Sequence, residues 1–128
     1  MAGNSASFHE SEERLRPQTM DHHRAIVSLM EELEAVDWYS QRSEACSDKD
    51  LAAILQHNKR EEMEHAMMVL EWIRRQSSEL DGHMKTYLNT SGPITGVEEE
   101  IKQGGGDDPK ADAITHDGSL GVGGLKGA

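Results

Sequence analysis

Apolar residues recur at every third or fourth position along a first stretch of the chain, between Thr19 and Ala45. Its regularly spaced apolar positions are Ile26, Leu29, Met30, Leu33 and Val36. This spacing gathers them on one side of an amphipathic α-helix. We therefore predict a first helix from Thr19 to about Ala45, with Thr19 or Asp21 as its N-cap. At 1.5 Å per residue this helix would be about 40 Å long.

A second periodic stretch predicts a helix from about Asp50 to at least Leu80, reaching Tyr87 unless Gly82 ends or bends it. The segment SDKD at 47–50 offers a Ser or Asp cap and leaves room for only a short connection. Consecutive helices joined so tightly become antiparallel neighbours. The stripe on the second helix reads Leu51, Leu55, Asn58, Glu62, His65, Val69 and Trp72, widened by Ile54, Met68 and Ile73.

The flanking segments lack such periodicity. Residues 1–18 are polar and predict a loose arm, whereas residues 19–96 predict the helical hairpin. After Pro93, Thr95 and Glu98 fit a capping box for a short third helix at 97–103. Residues 104–128 are rich in glycine and poor in apolar residues, so we predict a flexible tail. The fold class is all-α, with most of the chain in one antiparallel two-helix hairpin.

Two ionisable residues, Glu62 and His65, interrupt the apolar stripe of the second helix. At positions i and i+3 their side chains are neighbours on one helix face. Glu32 interrupts the first stripe in the same way, and it lies about as far before the bend as Glu62 and His65 lie after it. The hairpin therefore predicts that all three lie at one height. Burial of an unpaired carboxylate is costly, and a shared metal ion would remove that cost.

The three residues amount to half of a known type of metal site. Ferritin-like di-iron bundles use one Glu from each of two helices and one Glu-x-x-His from each of two others. Two copies of this hairpin related by a two-fold axis would supply the complete set. Dimerisation would also complete a four-helix bundle and bury stripes that one hairpin leaves open. On spacing alone, however, Glu-x-x-His is more often part of a solvated helix face.

Composition narrows the range of partners. The formal net charge is −11, with 29% charged and 4% aromatic residues. This balance argues against nucleic acid or an anionic membrane and favours cations. The chain has one cysteine, Cys46, no signal-peptide pattern at its first residues and no apolar run of bilayer length, so we expect a reducing cytoplasm.

Carboxylates with one nitrogen per metal suit iron or manganese. Two ferrous ions side by side would each give one electron to an oxidant, as in a ferroxidase.

Three sequence segments closely resemble the encapsulated ferritins of bacteria: RAIVSLMEELEAVDWY at 24–39, HNKREEMEHAMMVLEWIRR at 57–75 and GPIT at 92–95. The resemblance implies two-helix subunits that pair around a di-iron ferroxidase centre and assemble into an annular decamer. Glu32, Glu62 and His65 of both chains would be the catalytic iron ligands. Glu31 and Glu34 match an uptake or secondary metal site, which would take calcium or another divalent cation.

The tail extends the resemblance. GSLGVGGLK at 118–126 is similar to the peptide by which such cargo docks inside an encapsulin shell, which implies iron storage in that nanocompartment in the bacterial cytoplasm. Gly123 and Gly124 depart from the pattern, where a serine is common. Trp38, Tyr39 and His57 are candidates for positions around the metal, although packing or solvent exposure explains each of them more simply.

Two other functions fit the same residues. One is a non-catalytic oligomeric adaptor that docks through its tail, with Glu62 and His65 as a hydrogen-bonded pair. The other keeps the site but changes the reaction, as in ferritin-like proteins that reduce peroxide or use manganese.

Overall fold

The computed structural model describes residues 6–104, and all regular structure in this range is helical. A 3-10 turn at Glu12–Arg14 precedes four α-helices. They are α1 (Pro17–Ala45), α2 (Lys49–Gln76), α3 (Ser78–Tyr87) and α4 (Ile94–Gln103). The all-α class is confirmed. Residues 105–128 of the predicted tail, including the docking peptide at 118–126, lie outside the described residues.

Helix α1 begins two residues earlier than predicted, at Pro17, and neither Thr19 nor Asp21 is its N-cap. Arg16 occupies the cap position with an extended backbone and makes no side-chain cap hydrogen bond. Proline suits the first helical position because its ring presets φ and the missing N–H would have had no helical partner. The predicted end at Ala45 agrees with the structure.

A tight connection turns the chain from α1 into α2. The Asp48 carboxylate accepts a hydrogen bond from the Leu51 amide at 2.8 Å, which confirms the predicted Asp cap. Across the hairpin, Gln56 Nε2 donates to Ser43 Oγ at 3.4 Å. Farther from the turn, Glu32 on α1 lies beside His65 on α2. These pairings establish α1 and α2 as an antiparallel hairpin.

The predicted continuation of the second helix to Leu80 is wrong. Helix α2 ends at Gln76, and Ser77 adopts an extended backbone before α3. Ser77 Oγ accepts a hydrogen bond from the Leu80 amide at 3.0 Å, so this serine starts a new helix. Gly82 neither ends nor bends the helix but lies buried within α3.

Helix α4 starts at Ile94, three residues before the predicted start at 97. Pro93 is its N-cap and no side-chain cap hydrogen bond forms, so the capping box predicted for Thr95 and Glu98 is wrong. The fixed φ of Pro93 makes a helix start favourable without such a cap. The preceding turn uses left-handed backbone at Asn89 and Gly92.

The chain divides into two compact units between Ile73 and Arg74. The first contains the hairpin, and its arm is tied to α1 by His23, which stacks on Phe8 at 4.4 Å and hydrogen-bonds the Ala6 carbonyl at 2.8 Å. Within residues 6–104, Ala66 is the one fully buried apolar residue of the core. In the part of the chain that the structure describes, no helix is long and apolar enough to cross a membrane.

Much of the apolar stripe therefore remains uncovered in a single chain. Large apolar side chains of the hairpin that are about half exposed include Ile26, Met30, Leu33, Trp38, Leu51, Ile54, Met63, Met67 and Met68. Contiguous apolar surface of this kind marks an interaction site more often than a free surface. Dimerisation stays a prediction.

Candidate metal centre

Helices α1 and α2 bring together one group of potential metal ligands. Glu32 projects from α1, and Glu62 and His65 project from neighbouring turns of α2. One ligand atom from each of the three lies within 4.8 Å of the others. The structure thus places together the three side chains that the sequence predicted at one height, while their role as ligands stays a prediction.

Glu62 is the hydrogen-bonding centre of this group, because it hydrogen-bonds both Glu32 and His65. His65 Nδ1 lies 2.9 Å from Glu62 Oε1 and 3.9 Å from Glu32 Oε1, and only the shorter distance is that of a hydrogen bond. The side chains are partly exposed, by 23% for Glu62, 27% for Glu32 and 42% for His65. The group therefore sits at an edge of the hairpin, held by the protein on one side and open on the other.

Electrostatics couple the two carboxylates. A hydrogen bond to Glu62 raises the pKa of Glu32, and burial and the charge of Glu62 act in the same direction. The hydrogen bond from Glu32 lowers the pKa of Glu62 most, and the hydrogen bond from His65 lowers it further. The hydrogen bond to Glu62 raises the pKa of His65 above its ordinary value of 6.5. Proton uptake by Glu32 and His65 is therefore easier than for the free side chains, because it reduces the negative charge of two close carboxylates.

The residues present fit a hard divalent metal. Two carboxylates and one imidazole within 4.8 Å offer oxygen and nitrogen donors but no thiolate, a set suited to iron or manganese rather than to closed structural zinc. A divalent cation would offset the negative charge that the two close carboxylates place there. The open side of the group leaves space for further ligands.

The other predicted site residues lie outside this group. Within the described residues, Glu31, Glu34 and His57 belong to no set of three acidic, histidine or cysteine side chains with ligand atoms as close. All three are exposed on their helices. Trp38 and Tyr39 lie farther along α1, where their rings contact Arg42.

Sequence reasoning missed two features of the hairpin. One is the position of Arg42 over both aromatic rings, which the i+3 and i+4 spacing could have indicated. The other is an open groove of about 400 Å³, for which the sequence carried no signal because its wall combines both helices. The groove is lined by Asp21, Arg24, Ala25, Ser28, Met68, Val69 and Trp72.

Comparison with known proteins gives consistent matches over most of the chain. A family model described as EncFtn-like matches residues 7–91. The encapsulated ferritin-like protein of Rhodospirillum rubrum is 54% identical over 130 residues, which cover 99% of this chain and 93% of that protein. The encapsulin nanocompartment cargo protein EncC of Myxococcus xanthus is 32% identical over 78% of this chain and 80% of its own length.

A solved structure supports the same fold. The crystal structure of a protein from Nitrosomonas europaea is 56% identical, with a TM-score of 0.67. The match covers 69% of this chain and 97% of that one. The all-α fold therefore has a counterpart in an experimental structure over the matched part of the chain.

Proposed function

The chain belongs to the EncFtn-like family, and from this membership and its Glu/Glu/His group we propose that it is a ferroxidase. It oxidises Fe(II) to Fe(III) with dioxygen at a di-iron centre formed across a subunit interface. The convergence of Glu32, Glu62 and His65 within 4.8 Å is the observation that carries the proposal.

The interface is part of the proposal because one chain offers too few ligands. Two carboxylates and one imidazole make half of the set used by ferritin-like di-iron bundles. A second copy related by a two-fold axis supplies the other half. The half-exposed apolar side chains of the hairpin support this pairing, since they would be covered by the same contact.

Each ligand has a separate task. Glu62, whose carboxylate accepts hydrogen bonds from Glu32 and His65, would bridge two ions. Glu32 and His65 would complete the ligands of each ion, as a carboxylate and a neutral imidazole. Each bound ferrous ion supplies one electron to the oxidant. The chain itself binds the ions, fixes their separation and releases protons as they enter.

Two further parts of the proposal concern delivery and storage. Glu31 and Glu34 attract incoming cations, calcium included, in line with the net charge of −11. The oxidised iron is stored inside an encapsulin shell in the bacterial cytoplasm, where the protein docks as an annular decamer through residues 118–126. The names of the relatives from Rhodospirillum rubrum and Myxococcus xanthus support this location.

The decisive experiment removes the ligands one at a time. We expect Glu32→Ala, Glu62→Ala and His65→Ala to reduce Fe(II) oxidation to the rate of iron in buffer and to lose interface-bound iron in elemental analysis. Glu64→Ala is a matched control, because Glu64 is an exposed carboxylate on the same helix. Unaltered oxidation in all three ligand variants would refute the proposal.

The same assay separates the alternatives. Protein grown with iron that carries none would favour the non-catalytic adaptor. Faster consumption of added peroxide than of dioxygen would favour a peroxide-reducing protein, and higher activity with manganese would favour a manganese protein.

A further inference from the structure

Arg42 lies over two aromatic rings of α1 at once. Its guanidinium carbon is 5.7 Å from the centre of the Trp38 ring and 5.6 Å from the centre of the Tyr39 ring. Both distances are within the range of a cation–π interaction. The contacts arise because Arg42 follows the two aromatic residues by four and three positions, so all three share one side of the helix.

The charge of Arg42 is not neutralised by a nearby acid. None of the ion pairs found among residues 6–104 includes Arg42. The nearby acid Asp37 instead accepts a hydrogen bond from Gln41 at 3.0 Å. The two rings are therefore the partners of the guanidinium within the described residues.

The charge of Arg42 matters because a group of acidic residues precedes it on α1. Residues 31–38 contain four acids and no base, and Arg42 is the first basic residue after them. Nearby negative charge favours the loss of an electron from an indole or phenol ring, whereas positive charge opposes it. Tyr39 follows Glu32 by seven residues, so it lies on the same helix face about 10 Å along the axis.

We propose that Arg42 is a positioning residue that holds the Trp38 and Tyr39 rings and makes both poor one-electron donors. In the reaction it suppresses, a one-electron oxidant takes an electron from the Trp38 indole. The indole N–H then gives its proton to water, which leaves a neutral radical and a reduced oxidant. The guanidinium opposes the positive charge that appears on the ring in the first step. The biological relevance rests on the proposed ferroxidase function, because the ferrous ions rather than the rings must then supply the electrons.

Trp72 provides an internal control in the same helical hairpin. It is 39% exposed, against 47% for Trp38. Within the described residues, the cation–π contacts involve Arg42 alone and do not reach Trp72, whose aromatic neighbour is His22. Exposure alone therefore predicts faster oxidation of Trp38, whereas the charge of Arg42 predicts the reverse.

The test treats the full chain, free of iron, with hexachloroiridate(IV) and follows each tryptophan by peptide-resolved mass spectrometry. In the unaltered chain we expect Trp38 to be oxidised about threefold more slowly than Trp72. Arg42→Met, which keeps the aliphatic bulk without the charge, should reverse this order. Arg42→Lys, which keeps the charge, should preserve it.

Two results would overturn the inference. One is the same ratio of Trp38 to Trp72 oxidation in the unaltered chain and in Arg42→Met. The other is an Arg42→Lys chain that behaves like Arg42→Met, because loss of packing rather than of charge would then explain the change. If Trp38 is still oxidised slowly in Arg42→Lys but not in Arg42→Met, a merely structural role for Arg42 is excluded.

The iron-free oxidant also keeps this inference separate from the ferroxidase proposal. If the ligand variants refute ferroxidase activity, the order of tryptophan oxidation still decides the role of Arg42. In a chain that does oxidise iron, Arg42→Met should accumulate oxidised Trp38 during turnover, while the unaltered chain should not.

Discussion

Two clusters of charged residues in this molecule differ in charge balance. At the start of α3, the Asp81 carboxylate is buried and contacts Arg74 Nη1 at 2.6 Å and Lys85 Nζ at 3.2 Å. In the hairpin, Glu32 and Glu62 lie together with one imidazole, and no Lys or Arg pairs with them among the described residues. The Asp81 carboxylate is thus paired with two bases, whereas the two carboxylates of the Glu/Glu/His group have a single imidazole.

The difference separates a structural ion cluster from a binding site. A buried acid with two bases has its charge compensated, so it can stabilise the junction of two helices without a ligand. Two neighbouring acids with one imidazole repel each other when both are ionised, and a divalent cation compensates their charge better than a proton does. Substitutions in the two clusters should therefore have opposite consequences.

The largest effect is expected from metal on association. Four carboxylates brought together by two hairpins would repel one another, so metal-free protein should associate less completely than protein with Fe(II) or Mn(II). Mass measurement with and without metal checks this expectation. Glu62→Ala should abolish the metal response, with a loss of metal affinity of about 100-fold or more. Glu64→Ala serves as the control, and an equal mass with and without metal in the unaltered chain would contradict the prediction.

The next largest effect is expected from the Asp81 cluster. Asp81→Asn removes the charge but keeps the shape, and it leaves Arg74 and Lys85 without their carboxylate. We expect unfolding free energy to fall by about 2 kcal/mol, less than for a fully buried pair because Arg74 is 22% exposed and retains another contact. Urea denaturation of metal-free protein at fixed concentration measures the change.

A conservative control at the same helix is Glu79→Gln, since Glu79 is exposed in the first turn of α3. A loss at Asp81 no greater than the loss at Glu79 would show that the Asp81 cluster contributes little to stability.

A smaller effect is expected from pH on metal binding. A metal needs the neutral form of His65, and the hydrogen bond to Glu62 raises the pKa of His65 above 6.5. As the solution is acidified, the affinity for Mn(II) should therefore begin to fall while the pH is still above 6.5. Once binding must displace one proton, the affinity should fall by about tenfold per pH unit. Titration by isothermal calorimetry between about pH 8 and about pH 5.5, a range that spans the ordinary histidine pKa, checks this. The His65→Ala chain should bind Mn(II) more weakly, and its affinity should depend less on pH over the same pH range. An equally steep pH dependence would exclude His65 as the titrating ligand.

Sequence periodicity was sufficient to predict the hairpin and the meeting of Glu32, Glu62 and His65, because helical spacing and a short connection fix which residues share a height. It failed at Ser77, where a single favourable cap outweighed the continuing helical pattern. It also failed at Pro17 and Pro93, where the fixed φ of proline starts a helix without a side-chain cap. The hydrogen bond that raises the pKa of Glu32 and lowers that of Glu62 depends on distances that no one-dimensional pattern contains.

The smallest effect, and the one of opposite sign to Asp81→Asn, is expected from Glu32→Gln in metal-free protein. The raised pKa of Glu32 means that its ionised form is less favourable in the folded chain than in the unfolded one. An amide removes this charge and can still donate a hydrogen bond to Glu62, so unfolding free energy at neutral pH should rise slightly, by at most about 0.5 kcal/mol at a partly exposed position. As the pH falls and Glu32 takes up its proton, the carboxyl and the amide become equivalent and the gain should disappear.

Urea denaturation at neutral and acidic pH measures both limits, with Glu64→Gln as the matched control on α2. A loss of stability at neutral pH as large as that of Asp81→Asn would mean that Glu32 belongs to a satisfied structural cluster, and the contrast between the two clusters would not hold.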